Sequence, residues 1–190
     1  MSQSATARLF VAVELPAPVR LTLAHWGRTA AGVARASGGE LRAVDESMLH
    51  LTMCFLGGRP IGEIAAVKDA LSAIEPRALG EISLGAPLWL PPRRARVLAI
   101  EVHDDSQRTL QALHREVRGA LTAACELPSE RRRFRPHVTV ARMRSTGAPR
   151  ERRLPATPLL SFTPKTFVLY RSWLSPAGGS YEPLQEIALD

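Results

Sequence analysis

Lysine is nearly missing from this chain. Only Lys68 and Lys165 occur in 190 residues, so a net charge of +7 is carried almost wholly by arginine. A cationic surface suits a polyanion such as nucleic acid. Charge alone does not separate that reading from a solvated basic face. Cysteine is also scarce. Cys54 and Cys125 are the only two, and neither sits in a CxxC pair or a Cys/His cluster. That excludes a zinc framework and points to free thiols in a reducing cytoplasm. No long hydrophobic run is present. The apolar stretch that opens the chain meets Glu14 and Pro16, which excludes a transmembrane helix or signal peptide there and leaves no reason to expect a membrane partner. What remains, 45% hydrophobic residues, is enough for one large domain or two small lobes.

Periodicity divides the chain into strands and helices. "RLFVAVEL" (8–15) reads as a buried strand stopped by "PAP". Residues 18–36 place Val19, Leu23, Trp26, Ala30 and Val33 on one helical face. "LHLTMCFL" (49–56) is a strand expected to end at Gly57 and Gly58, and 61–75 is a second helix. Strands are expected at 81–90 and 96–102. Asp104, Asp105 and Ser106 offer N-caps for a helix running to about Ala124, with Leu110, Leu113, Val117 and Leu121 inward. "HVTVARM" and 165–174 are further strands. "SPAGGSYEP" reads as a turn before a last strand at 184–189.

The strand–helix–strand order occurs twice, and one offset relates the copies. His137 and Thr139 each follow His50 and Thr52 by 87 positions, and the same shift lays "AVEL" (12–15) on "AIEV" (99–102). The chain therefore reads as a single domain of residues 1–190 with two similar lobes, roughly 1–90 and 91–190.

Strand side chains alternate faces. His50 and Thr52 share one face, with Leu51, Met53 and Phe55 on the other. His137 and Thr139 share a face opposite Val138 and Val140. A pseudo-twofold pairing of the lobes would set two imidazoles and two hydroxyls in one cleft. One imidazole can donate a proton while the other accepts one, which is the pair of tasks that phosphodiester hydrolysis requires. The threonine hydroxyls can hydrogen-bond the non-bridging phosphate oxygens. No further ligand set suggests a metal, and threonine is a poor zinc ligand. The bare H-x-T motif is short, and a lone strand histidine is usually structural. The shared offset and matched strand context carry the inference. His25, His103 and His114 lack that context.

Two H-x-T motifs in a duplicated chain resemble the 2H phosphoesterase superfamily. With "RLFVAVELP", "HLTMCFLG", "RFRPHVTVARM" and "YRSWLSPAGGSYEPLQEI" in order, the chain is similar to the RNA 2',3'-cyclic phosphodiesterases, also called 2'-5' RNA ligases. The resemblance implies an α+β fold: bilobal and duplicated, with antiparallel sheets lining a central cleft and helices outside. It implies metal-independent hydrolysis of RNA 2',3'-cyclic phosphate ends to 2'-phosphomonoesters. No cofactor is expected, the expected partners are such RNA ends or cyclic nucleotides, and the protein is expected to be a cytoplasmic monomer. Carried over by position, His50 is the proton donor, His137 the proton acceptor, and Thr52 and Thr139 hold the phosphate. Phe10 matches an aromatic near the family's site, and Arg142 matches its HxTxxR pattern. Strict alternation would turn Arg142 away from His137 unless the strand bends. Tyr181 falls in a terminal block, where it could stack on a base or simply pack. Arg131, Arg132 and Arg133 form a basic loop that could clamp RNA. Two alternatives remain open. One is ligation, with an RNA 5'-hydroxyl in place of water. The other is a non-catalytic RNA-binding module.

Overall fold

A computed structural model describes residues 5–36, 40–92, 94–128, 133–143, 154–175 and 178–190. The elements in chain order are β1 (Thr6–Val13), α1 (Ala17–Ala36), β2 (Leu41–Ala43), β3 (Leu51–Pro60), α2 (Ile64–Ser72), β4 (Ile82–Leu90), β5 (Val97–His103), α3 (Thr109–Cys125), β6 (His137–Met143), β7 (Ser161–Phe162), β8 (Thr166–Ser175) and β9 (Gly178–Ala188). Three helices lie against one antiparallel sheet in the order β7-β4-β5-β6-β3-β1-β8-β9, with β2 paired to β6. This is the expected α+β fold. Its middle is narrow: β3 and β6 share only the pair Leu51↔Val138. Four strands of this order lie on each side of that seam, and β2 adds a fifth on the β6 side. The groups exchange strands, because β4 pairs with β5 of the second repeat and β8 pairs with β1 of the first. The hydrogen-bonded half-sheets thus do not divide near residue 90, where the sequence repeat is expected to divide.

The helices cover one face of the sheet. Leu23, Trp26 and Ala30 of α1 and Leu110, Leu113, Val117 and Leu121 of α3 are buried against Leu9, Val11, Leu98, Ile100 and Val138. Val33, expected on the inward face of α1, is 36% exposed, and Ala34 takes the inward position instead. A period of 3.6 carries the stripe from Ala30 to residue 34 rather than 33. At the start of α3, Asp104 accepts from the amides of Leu110 (3.0 Å) and Gln111 (2.9 Å), and Asp105 accepts from the amide of Thr109 (3.0 Å). These carboxylates satisfy donors that a helix start leaves open.

Three boundaries depart from the sequence expectations. The second helix is shorter: residues 61–63 form a 3-10 turn, and α2 ends at Ser72. β3 does not stop at Gly57 and Gly58, which stay paired with Leu9 and Arg8. Gly57 adopts φ of 74°, a left-handed backbone that glycine accepts at little cost. β9 begins at Gly178 rather than 184, so the expected turn shortens and Tyr181 is a strand residue.

Two bulges matter most for the site. Along β1 and β3 the partners run Val11↔Cys54 and then Ala12↔Thr52, so Met53 is an extra residue. Along β5 and β6 they run Leu98↔Ala141 and then Ala99↔Thr139, so Val140 is extra. Met53 and Val140 are separated by the repeat offset of 87. The duplication therefore includes the irregularity as well as the strands.

Candidate active site

Each histidine is held by backbone two residues earlier. The Nδ1 atom of His50 is 2.9 Å from the carbonyl oxygen of Met48, and Nδ1 of His137 is 2.8 Å from that of Arg135. A carbonyl only accepts, so Nδ1 carries the proton and donates. Nε2 is left clear of that bond on both rings, able to take a proton when the ring is neutral and to give one when it is charged. The seam pair Leu51↔Val138 sets the register between the motifs. One residue to either side, His50 lies opposite Thr139 and Thr52 opposite His137, all four on the face away from the helices.

The bulges reverse alternation just beyond the motifs. Met53 and Cys54 are both in the helix-side core, as are Val140 and Ala141. The next residues, Phe55 and Arg142, therefore return to the face of the histidines. Phe55 was expected to point into the core with Leu51 and Met53. It is instead 63% exposed, with its ring centroid 6.0 Å from that of Phe10. Arg142 is exposed, and its charge acts on His50. The bend that Arg142 required is the bulge at Val140.

The two imidazoles have different surroundings. Phe10 lies 4.9 Å and Tyr181 5.2 Å from the His50 ring, centroid to centroid. Tyr170, which sequence reasoning did not single out, stacks on Phe10 at 5.2 Å. Its hydroxyl donates to Glu14 at 2.8 Å; burial and that carboxylate hold the phenol above its ordinary value. Burial among these rings, reinforced by the charges of Arg142 and His137, lowers the His50 pKa to about 4, against a partial opposing effect of its bond to Met48. The free protein therefore keeps His50 neutral near pH 7. The cavity that His50 itself lines, with Tyr170 and Tyr181, is about 30 Å³. His137 instead opens, together with Thr52 and Phe55, on a cavity of about 840 Å³.

Glu14 and Glu101 are related by the same offset. Glu101 pairs with His137 across β5 and β6. Neither carboxylate is bonded to an imidazole: Glu101 holds Arg135 at 3.1 Å, and Glu14 holds Tyr170 and Thr166. Among the described residues, no group of three or more His, Cys, Asp or Glu side chains is placed as metal ligands would be.

Seven residues were singled out from sequence: His50, Thr52, His137, Thr139, Phe10, Arg142 and Tyr181. The structure brings all of them to one face. Arg133 lines the large cavity, while Arg131 and Arg132 lie outside the described residues. Sequence reasoning missed Phe55, although the offset of 87 that relates the histidines also relates Phe55 to Arg142. Tyr170 had no comparable signal. It is recruited by β8 pairing Tyr170↔Phe10.

A family model for the 2'-5' RNA ligase superfamily matches residues 15–172. The chain belongs to that superfamily. Among its relatives, the RNA 2',3'-cyclic phosphodiesterase of Thermus thermophilus is 31% identical over 194 residues, spanning 96% of this chain and 90% of that protein. The RNA 2',3'-cyclic phosphodiesterase of Escherichia coli is 30% identical over 188 residues, spanning 96% of both. The crystal structure of TT0787 from Thermus thermophilus superposes with a TM-score of 0.76 at 28% identity, covering 96% of this chain and 97% of that one. Among the described residues, no helix of this superfamily member is long and apolar enough to cross a membrane.

Proposed function

We propose that this protein hydrolyses RNA 2',3'-cyclic phosphodiester ends to 2'-phosphomonoesters, using its two histidines and no metal. One observation carries the reading. Two imidazoles, each with Nδ1 tied to a backbone carbonyl, present free Nε2 atoms on one face beside two threonine hydroxyls. The phosphate would sit between them. Thr52 and Thr139 donate to its non-bridging oxygens, and Arg142 offsets the charge that builds there. Water attacks phosphorus and gives its proton to Nε2 of His137. The P–O3' bond breaks, and the 3'-oxygen takes the proton from Nε2 of His50. The products are a 2'-phosphomonoester and a free 3'-hydroxyl.

In this assignment His50 must be charged to act as donor. With a pKa near 4, only about one free molecule in a thousand carries that proton at pH 7. The substrate's phosphate brings a negative charge to the same spot and stabilises the charged ring. The low pKa also favours a second reading, in which neutral His50 takes the proton from water and His137 serves the leaving oxygen. A substrate with an activated leaving group separates the two: it should rescue the alanine variant of the donor and not that of the acceptor.

The test of the function is incubation with an oligonucleotide ending in 2',3'-cyclic phosphate, with the regiochemistry of the product determined. A 2'-phosphate is expected. A 3'-phosphate would overturn the bond assignment. An unreacted end with tight RNA binding would make the protein a binding module.

A further inference from the structure

The reacting phosphate accounts for the seam between the two histidines, but not for the large cavity beside it. That cavity is lined by His137 and not by His50, which is crowded by Phe10 and Tyr181. At about 840 Å³, it is near the upper end of the roughly 300–1,000 Å³ that drug-sized ligands occupy. Arg96, Arg118, Arg133 and Arg135 line it, and no carboxylate among the described residues does. Arg135 is paired with Glu101, and Arg118 is engaged by the carbonyl of Pro128 and the thiol of Cys54. Arg96 and Arg133 are exposed, with no ion pair among the described residues. The cavity also carries flat apolar surface. His114 and Phe134 stack face to face at 3.9 Å and 8°, and Phe55 of β3 stands exposed on the same cavity.

We propose that this cavity is a second nucleotide subsite. Arg96 and Arg133 would take a neighbouring phosphodiester, and Phe55 or Phe134 would stack its base. Arginines without counter-charges beside exposed rings are the combination that holds single-stranded nucleic acid without reading its sequence. The inference rests on the phosphodiesterase reading and sharpens it: the preferred substrate is an oligonucleotide, not a cyclic mononucleotide. The same chemistry could come from the strand that carries the cyclic end or from a second strand with a 5'-hydroxyl.

The experiment compares a cyclic mononucleotide with cyclic-ended di- and trinucleotides, using the wild type and an Arg96→Ala/Arg133→Ala variant. One stacked base corresponds to roughly five- to 150-fold. The wild type should therefore favour the trinucleotide in kcat/KM by at least about fivefold, with a steeper salt dependence. The variant should lose most of that ratio, which assigns the cavity to the reacting strand. A wild type without chain-length preference, inhibited on the mononucleotide by a 5'-hydroxyl trinucleotide in an arginine-dependent way, assigns it to the second strand. A wild type that shows neither the preference nor the inhibition overturns the subsite. Anisotropy with a labelled trinucleotide bearing a 2'-phosphate reads the cavity without turnover. Arginine-dependent binding in a protein that hydrolyses none of the substrates would overturn the catalytic reading alone. Equal affinity for mono- and trinucleotide 2'-phosphates would remove the subsite.

Discussion

The most informative group in the free protein is the His50 imidazole. Its pKa falls from 6.5 to about 4 because rings bury it and two cationic neighbours oppose its charge. A folded-state pKa below the unfolded value makes protonation favour unfolding. The stability linked to this group is fully present above about pH 6.5, falls as pH drops from there toward 4, and levels off below. At 1.36 kcal/mol per unit, the full displacement corresponds to about 3 kcal/mol, of which about 2 kcal/mol is lost between pH 7 and pH 5. Carboxylates titrate in part of the same window, so the comparison needs a control. His50→Asn keeps an amide donor near the position of Nδ1 and does not titrate. Urea denaturation at pH 7 and pH 5 should show the wild type losing about 2 kcal/mol more than the variant. Parallel losses would refute the reasoning, since they would mean that His50 titrates alike in the folded and unfolded chains. Bound 2'-nucleotide should shrink the difference, because its phosphate favours the charged ring.

His50→Ala and His137→Ala should each lower kcat by about 10² or more, with the double variant little worse than either, because the pair acts as a unit; near-normal turnover in a single variant removes that residue from the chemistry. Arg142→Gln should raise the His50 pKa, read by NMR titration, and lower kcat/KM by about 10²; an unmoved titration would place the guanidinium away from the ring. Hydrolysis should persist in excess EDTA, and activity that disappears and returns with added Mg²⁺ or Zn²⁺ would sink the two-histidine mechanism. Gly27→Ala should destabilise the protein by about 1–3 kcal/mol in urea, although alanine gains up to about 1 kcal/mol in helix propensity. The new Cβ would stand 2.8 Å from the carbonyl oxygen of Val140, a backbone atom also held by the amide of Val44 at 2.9 Å. A more stable variant would show that the bulge has room.

Much of the site was legible because it is local. H-x-T in a strand puts both side chains on one face whatever the rest of the fold does, and the offset of 87 tied two such strands together. Alternation then failed one step later, at Phe55 and Arg142. A bulge is a property of the pairing between two strands, and no residue of "TMCF" or "TVAR" announces which one will be extra. The same limit hid the exchange of β4 and β8 between half-sheets, since a strand's pattern shows that it pairs but not with what. Tyr170 was invisible for that reason: it reaches Phe10 through the β1–β8 ladder, from 160 positions away in sequence. Glycine misled at both ends of this region. Gly57 and Gly58 remained in β3, and the glycines at 178 and 179 opened β9 instead of continuing a turn.

The duplication makes the two histidines alike in backbone. Each has its carbonyl anchor, its threonine two residues on and its bulge one residue after that. Such a pair would share one affinity for the proton, yet acid–base catalysis needs one ring to give while the other takes. The difference is supplied by what the repeats do not share. At the bulge the first copy turns out Phe55 and the second Arg142, an apolar ring against a cation. From the second repeat, β8 and β9 lay Tyr181 against the first histidine and Tyr170 on Phe10 beside it, while the second histidine keeps an open cavity lined with arginine. Exchange of strands between the half-sheets is what delivers those tyrosines to β1. Replacing Tyr181 with leucine would keep the apolar cover and preserve the asymmetry. Replacing it with serine should admit water to the His50 ring and raise its pKa toward 6.5, as desolvation is the largest cause of the shift. If the serine variant titrates as the wild type does, the rings are not what separates the two histidines, and the charge of Arg142 is left to do so.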